Sequence, residues 1–337
     1  MRLGEWRRSI IILLLLATFL GSSAAPLIGY GGQASAAQPP VPDSEGRIAS
    51  DHVVNIGLWL INVYAFDYRA GSYTFDFYIY FFWTDKNITT IDWYLMNGLP
   101  SDSSTKAIVD SGIRDDFNYQ LWRVRADLFA PIEPRDYPFD KVILPIDIEL
   151  LKHGYDTSLN WMTEQSGVDP GFKIVGWEVG SVDYTTRVHQ YPLNMSSPEA
   201  AMALTLQRST FEAFMQNILP PLLLCIVSAF CFLLRLDDDS TFALRVGINT
   251  AMLITAVLFN ISVTAYIPPI AGLNLYETFI TAVLTFLSLA LIVTVLGYVE
   301  WKYTGREERL TQINSWGAVI SVLLPLLLFL SFILTNG

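Results

Sequence analysis

Residues 244–269 read LRVGINTAMLITAVLFNISVTAYIPP, a stretch long enough to cross a bilayer that still carries Arg245, Gly247, Asn249, Thr250, Thr255, Asn260, Ser262 and Thr264. Polar groups in hydrocarbon are expensive, so a helix this polar is enclosed by other helices or faces water. Gly247, Ala251, Ile254, Leu258, Ile261 and Ala265 form one stripe at helical spacing. Its small residues sit at one end and its bulky apolar ones in the middle. Several copies ringed about an axis would turn those apolar rungs into a constriction that closes by dewetting. Periodicity alone leaves the alternative of an ordinary core helix in a bundle.

Around this stretch lie three plainer apolar runs, which set four expected spans at about 214–234, 246–267, 276–299 and 313–334. Hydrophobic residues make up 52% of the 337-residue chain, an excess that points to a membrane class. The segment 300–310, EWKYTGREERL, carries three basic and three acidic residues, so only its basic content follows the positive-inside rule. The N-terminus has the order of a secretory signal: Arg2, Arg7 and Arg8, an apolar run over 10–20, then Ala34-Ser35-Ala36. A signal peptide is expected over 1–37; the alternative is an uncleaved first membrane helix. Export places the following region outside, and four spans then return the C-terminus to the same side. No internal repeat of the inverted-transporter kind is present.

Between 53 and 207 the grammar is different. Apolar and aromatic residues alternate with polar ones in HVVNIGLWLINVYAFD and SYTFDFYIYFFWTD, and turn signals recur at Ala70-Gly71, Asn97-Gly98 and Asp169-Pro170-Gly171. That pattern predicts about ten strands in a β-sandwich or barrel. The expected architecture is therefore α+β: an external β domain over 38–212 and a four-helix membrane domain over 213–337.

Charge separates the same two regions. Residues 38–213 hold 13 Lys/Arg against 24 Asp/Glu, a net of −11, while the remainder balances at eight of each. An acidic exterior argues against nucleic acid and for a surface that concentrates cations. Asp115-Asp116 is the densest external pair and the first candidate for calcium. Carboxylates crowded with like charges also attract protons. Cys225 and Cys231, both in an apolar run, form no disulfide framework, and packing alone must hold the fold. With His52, His153 and His189 in no metal spacing, and with no nucleophile elbow or phosphate loop, neither an enzyme nor a cofactor is expected.

Four collinear motifs resemble the pentameric ligand-gated ion channels of the Cys-loop receptor superfamily, in their prokaryotic form. EPRDYPFDKVILPIDIE, residues 133–149, resembles that family's signature loop, with Tyr137-Pro138-Phe139-Asp140 as its turn. Ala130 and Leu144 stand where animal members have two cysteines. DFYIYFFWTD resembles the second strand, and LQRSTFEAFMQNILPPLLL resembles the junction in which Arg208 precedes a proline-bearing first helix, here Pro220-Pro221. LRVGINTAMLITAVLFNISVTAYIPP followed by GLNLYETF resembles the pore helix and the loop after it.

The resemblance implies a homopentamer in the cell membrane, in contact with lipid, with its N-terminal domain outside. An agonist, a small molecule or an ion, would bind between external domains and open a pore to permeant ions. Asp140 would pair with Arg208 where the two domains meet, beside the loop at Pro268. By motif offset Tyr78 takes the complementary-side aromatic position, and Tyr184, His189 or Tyr191 would lie near the capping hairpin, as aromatic faces that hold cations. The selectivity region would comprise Asp237, Asp238, Asp239 and Arg245. Ala243 and Leu244 precede Arg245 where cation channels of the family usually carry Glu, and RVG resembles anion-selective members. The acidic residues favour cations. An anion channel of the same fold and a non-conducting membrane-anchored sensor are the alternatives.

Overall fold

Strand alternation decides the N-terminal half of the computed structural model. The structure describes residues 53–336 apart from 87, 101–103, 115, 152–156, 193–195, 237, 271 and 306; for 307, 308, 310, 324–326 and 328–336 it describes the course of the chain alone. The expected signal peptide, His52 and His153 thus lie outside the described residues.

Among the described residues ten strands form two sheets. The first holds β4 (Thr105–Arg114), β5 (Phe117–Phe129), β2 (Ser72–Trp83), β1 (Val53–Asp67) and β7 (Ser158–Trp161) in that order, with β8 (Gly167–Val168) also paired to β1. The second runs β3 (Asp92–Leu95), β6 (Lys141–Leu151), β10 (Ser196–Arg208) and β9 (Trp177–Gln190). Period-two patterning sends Ile146, Ile148, Leu150, Met202, Leu204 and Leu206 inward, against Ile56, Leu58, Phe75, Phe77 and Ile79 of the facing sheet. Each such side chain contributes roughly 1.5–3 kcal/mol by leaving water. β2 is buried along almost its whole length because it is central in its sheet. The β1–β2 turn closes at Gly71, whose φ of 67° suits a residue without Cβ, and its carbonyl accepts from Ala130 at 2.9 Å.

Among the described residues four long helices follow. The first, α1 (Thr210–Leu233), takes a π-helical course over Phe214–Ile218 before Pro220 and Pro221. The two prolines lack the N–H groups that would bond Gln216 and Asn217 in a regular helix, and the wider turn falls on those residues. α2 (Asp239–Thr264) begins seven residues before the apolar run suggests, because Asp238 caps it by accepting from Thr241 N at 2.5 Å. α3 (Leu275–Thr304) starts in a reciprocal cap between Asn274 and Glu277 and ends at Gly305, φ 64°. α4 spans Glu307–Asn336. Among the described residues, α1, α2 and α3 are long and apolar enough to cross a membrane.

A second apolar cluster lies at the top of the helices: Ala256, Ile267, Tyr276, Ile280, Val283, Phe286 and Leu287, joined by Tyr137 from the sandwich. Polar residues tie the middle. Ser228 Oγ donates to Asn249 Oδ1 at 2.6 Å, and Asn249 Nδ2 donates to Thr294 Oγ1 at 3.4 Å. Such interhelical bonds satisfy groups that lipid cannot.

Candidate functional site

The loop between β5 and β6 supplies the contact between sandwich and helices. The first N–H groups of a helix have no partner inside it. Here the carbonyls of Arg135 and Tyr137 accept from Leu275 N and Tyr276 N, both at 3.0 Å. Tyr137 inserts its ring edge-on against Tyr276, with centroids 5.9 Å apart, and donates its hydroxyl to Asn217 Oδ1 at 2.9 Å. One loop residue therefore touches α1 and α3 together. Pro138 is buried beside it and Phe139 is half-buried.

Asp140, 2% exposed, ends that loop. It accepts from Arg208 Nε at 3.1 Å and from the Tyr68 hydroxyl at 2.5 Å. The Arg208 guanidinium lies 4.3 Å from the centre of the Trp177 ring, 5.0 Å from Tyr68 and 5.1 Å from Tyr137. A buried ion pair repays its desolvation only in good geometry. Three aromatic faces supply part of that, since ring quadrupoles attract the cation. Burial, and then the Asp140 charge, push the Tyr68 hydroxyl far above its ordinary range, so it stays protonated and donating. The sequence pointed to Asp140 and Arg208; Tyr68 and Trp177 carried no local signal.

Arg69 carried none either. It follows Tyr68 in the β1–β2 turn, and its guanidinium donates to the carbonyl of Ala265, the residue that caps the end of α2. Adjacent residues of one turn thus touch the Asp140–Arg208 pair and the last rung of the stripe. Pro268, just beyond, is buried.

Every residue of that stripe is exposed on the single chain: Gly247, Ala251, Ile254 (55%), Leu258 (61%), Ile261 (60%) and Ala265. The buried residues of α2, Arg245, Asn249 and Ala256, take the opposite face and pack on the chain's own helices. Arg245 is accordingly not on the stripe: its Nη1 donates to the Leu234 carbonyl at 3.1 Å and to Asn314 Oδ1 at 3.0 Å. Asp238 and Asp239 are exposed at the helix start, with Asp239 accepting from the Tyr298 hydroxyl at 2.6 Å and lying 3.5 Å from Lys302 Nζ. Asp237 falls outside the described residues.

The expected ligand residues divide into three groups. His189 and Tyr191 pack with their rings tilted and centroids 4.5 Å apart, and Tyr191 donates to Glu149 Oε2 at 2.7 Å beside Tyr94. Tyr184 turns to the other face of β9, 5.1 Å from Trp161. Tyr78 lies on the other sheet, cross-strand from Arg123, whose guanidinium is 5.7 Å from its ring and pairs with Asp76 at 2.9 Å. Asp115 is outside the described residues, and Asp116 is exposed in the left-handed region at φ 69°. Among the described residues no group of three or more His, Cys, Asp or Glu is arranged to hold a metal ion.

A strand-rich N-terminal half joined by an aromatic-proline loop to apolar helices, with an Arg–Asp pair at the joint, is the build of the prokaryotic pentameric ligand-gated ion channels, and the chain is similar to that family. The proton-gated ion channel of Gloeobacter violaceus is 22% identical over 285 residues, which cover 78% of this chain and 76% of that protein. No protein-family model matches the chain.

Proposed function

We propose that the chain is one subunit of a homopentameric ligand-gated ion channel of the cell membrane, with its sandwich outside and its pore lined by α2. The observation that carries this reading is the exposure of all six stripe residues while the opposite face of α2 is anchored. A helix that holds an orderly apolar face away from its own bundle needs something to face. Five copies around an axis would meet that need with water in an open state and a dry apolar ring in a closed one.

A signal from the sandwich has a short route to this helix. Arg69 bonds the cap of α2, and the neighbouring Tyr68 bonds Asp140. We read the pore as cation-selective, with Asp237, Asp238 and Asp239 at its inner mouth, because the Arg245 charge is withdrawn into the helix bundle. External protons or calcium act on it from the acidic outer domain, and the proton-gated relative favours protons.

The test is planar-bilayer recording of the purified full-length protein across pH and calcium, alongside mass measurement of the solubilised complex. Five copies and a cation-selective current that external ions switch are expected. A monomer, dimer or tetramer, or a membrane that stays silent under every condition, would overturn the reading in favour of a non-conducting sensor.

A further inference from the structure

The outer face of the second sheet buries more negative charge than it neutralises. Glu199, 0% exposed, lies directly cross-strand from Glu149, 2% exposed, and from Arg187. Asp147 follows on the same face two residues before Glu149. Like charges placed opposite one another across a ladder cost free energy. Arg187 Nη2 meets Glu199 Oε1 at 2.5 Å, and the Tyr191 hydroxyl donates to Glu149 at 2.7 Å. Among the described residues no hydrogen-bond donor reaches the buried Glu199 Oε2, which faces His189 Nδ1 across 3.5 Å.

The charged and titratable surroundings can be named strand by strand. β9 offers Asp183, Arg187 and His189, with Tyr191 just past its end. β10 offers Glu199, β6 offers Asp147 and Glu149, and β3 offers Asp92 and Tyr94. Among the described residues, five carboxylates thus surround Arg187 and His189, while Lys141 and Glu178 lie at the far end of the same face, cross-strand from Gln207. Burial, and then the charge on Glu199, push the Asp147 carboxyl above its ordinary range.

We propose that Glu199, Glu149 and His189 form a proton-binding site that reads external pH. A proton taken onto the imidazole guarantees an N–H at Nδ1 and makes the contact to Glu199 Oε2 charge-assisted, tying a β9 side chain to a β10 one across the paired strands. It also adds a positive charge to the carboxylate face. Histidine suits the task because its charge changes between about pH 5 and 8. A buried acceptor left unbonded is costly, so the bond forms once a donor exists. The state that binds the proton more tightly is favoured as pH falls. This inference rests on the channel reading for what the switch controls, and stands apart from it for the switch itself.

The experiment uses the full-length protein in nanodiscs and two readouts. The first is amide hydrogen exchange in β9 and β10 at about pH 7 and about pH 5, corrected for intrinsic rates. Acid should slow exchange around Arg187–Gln190 and Ser196–Glu199 by roughly fivefold or more, a change readable in exchange rates. His189→Phe and Glu199→Gln should abolish that change, and His189→Lys, which carries a fixed cation, should give the slow rates at both pH values. Retention of the acid response in His189→Phe overturns the site, including in the case that Glu199→Gln fails to fold. The second readout is current. Loss of the pH response of the current in His189→Phe supports protons as the ligand. Unchanged pH dependence of the current overturns that role while leaving the channel. An intact exchange switch in a protein that never conducts supports the site and counts against the channel reading.

Discussion

Arg208 and Asp140 meet twice: Nε donates to the carboxylate at 3.1 Å, and the backbone N–H of Arg208 donates to the Asp140 carbonyl at 3.3 Å. The pair sits one step beyond Gln207↔Lys141, the last cross-strand position of β10 and β6. It therefore extends the ladder to the boundary where α1 begins. Removing either partner leaves a largely buried charge, which costs about 3–5 kcal/mol where desolvation is complete. Asp140→Asn and Arg208→Gln should each reduce thermal stability and weaken gating. A double-mutant cycle on the half-activating ligand concentration should give a coupling of about 1–3 kcal/mol. Strict additivity would remove the pair from the gating path.

Arg69 should matter without being buried. Its bond to the Ala265 carbonyl satisfies an acceptor at the end of α2, where cations are favoured. Arg69→Gln should leave stability nearly unchanged and shift the half-activating concentration about fivefold, on the order of 1 kcal/mol of coupling. A dose–response curve that overlays the wild type would show that the contact transmits nothing.

The two faces of α2 can be told apart chemically. Single cysteines at Ala251, Ile254, Leu258 and Ile261, in a background with Cys225 and Cys231 replaced by Ala, should react with a charged thiol reagent and block current. Cysteines at Asn249 and Ala256, which face the chain's own helices, should stay unreactive. Ile254→Ser should hydrate the constriction and give leak current at rest. The reverse accessibility pattern would mean that the opposite face of α2 meets the pore.

Much of this arrangement was legible in the sequence, and the part that was not shares one physical cause. Period-two alternation marks which face of a strand is apolar, and a run of about twenty apolar residues marks a span, so ten strands and the helices could be read locally. Pairing across 196 positions, as between Arg69 and Ala265, leaves no trace in either neighbourhood. The same holds for Trp177 under Arg208, and for Glu199, which reads as a surface residue by alternation and is buried between Glu149 and Arg187 of the flanking strands. Hydropathy places the start of α2 too late because it sees the apolar segment and misses a cap such as Asp238.

That cap allows charge to be separated from helix stability. Asp238→Ser keeps a side-chain acceptor for Thr241 N and removes the carboxylate, whereas Asp238→Ala removes both. Loss of the cap should cost about 1 kcal/mol in the alanine variant alone. Both variants should lower the cation preference, read as a shift of reversal potential in a salt gradient. An unmoved reversal potential in the serine variant would place selectivity elsewhere.

Asp147 gives the outer domain a pH dependence whose sign can be worked out. Its carboxyl titrates above its ordinary value of 3.8, first because burial disfavours the charge and then because Glu199 repels it. Between the ordinary and the raised value the folded chain holds more protons than the unfolded one. Stability therefore falls as pH rises through that window, and the cost is fully present above the raised value. Acidification through the same window relieves it. Asp147→Asn, which carries no charge in either state, should raise the Tm at pH 7 by a few degrees. The advantage should shrink as acidification through that window protonates the wild-type group. Thermal scans of both proteins at several pH values check this, and a gain of equal size at every pH would assign the effect to packing instead of charge.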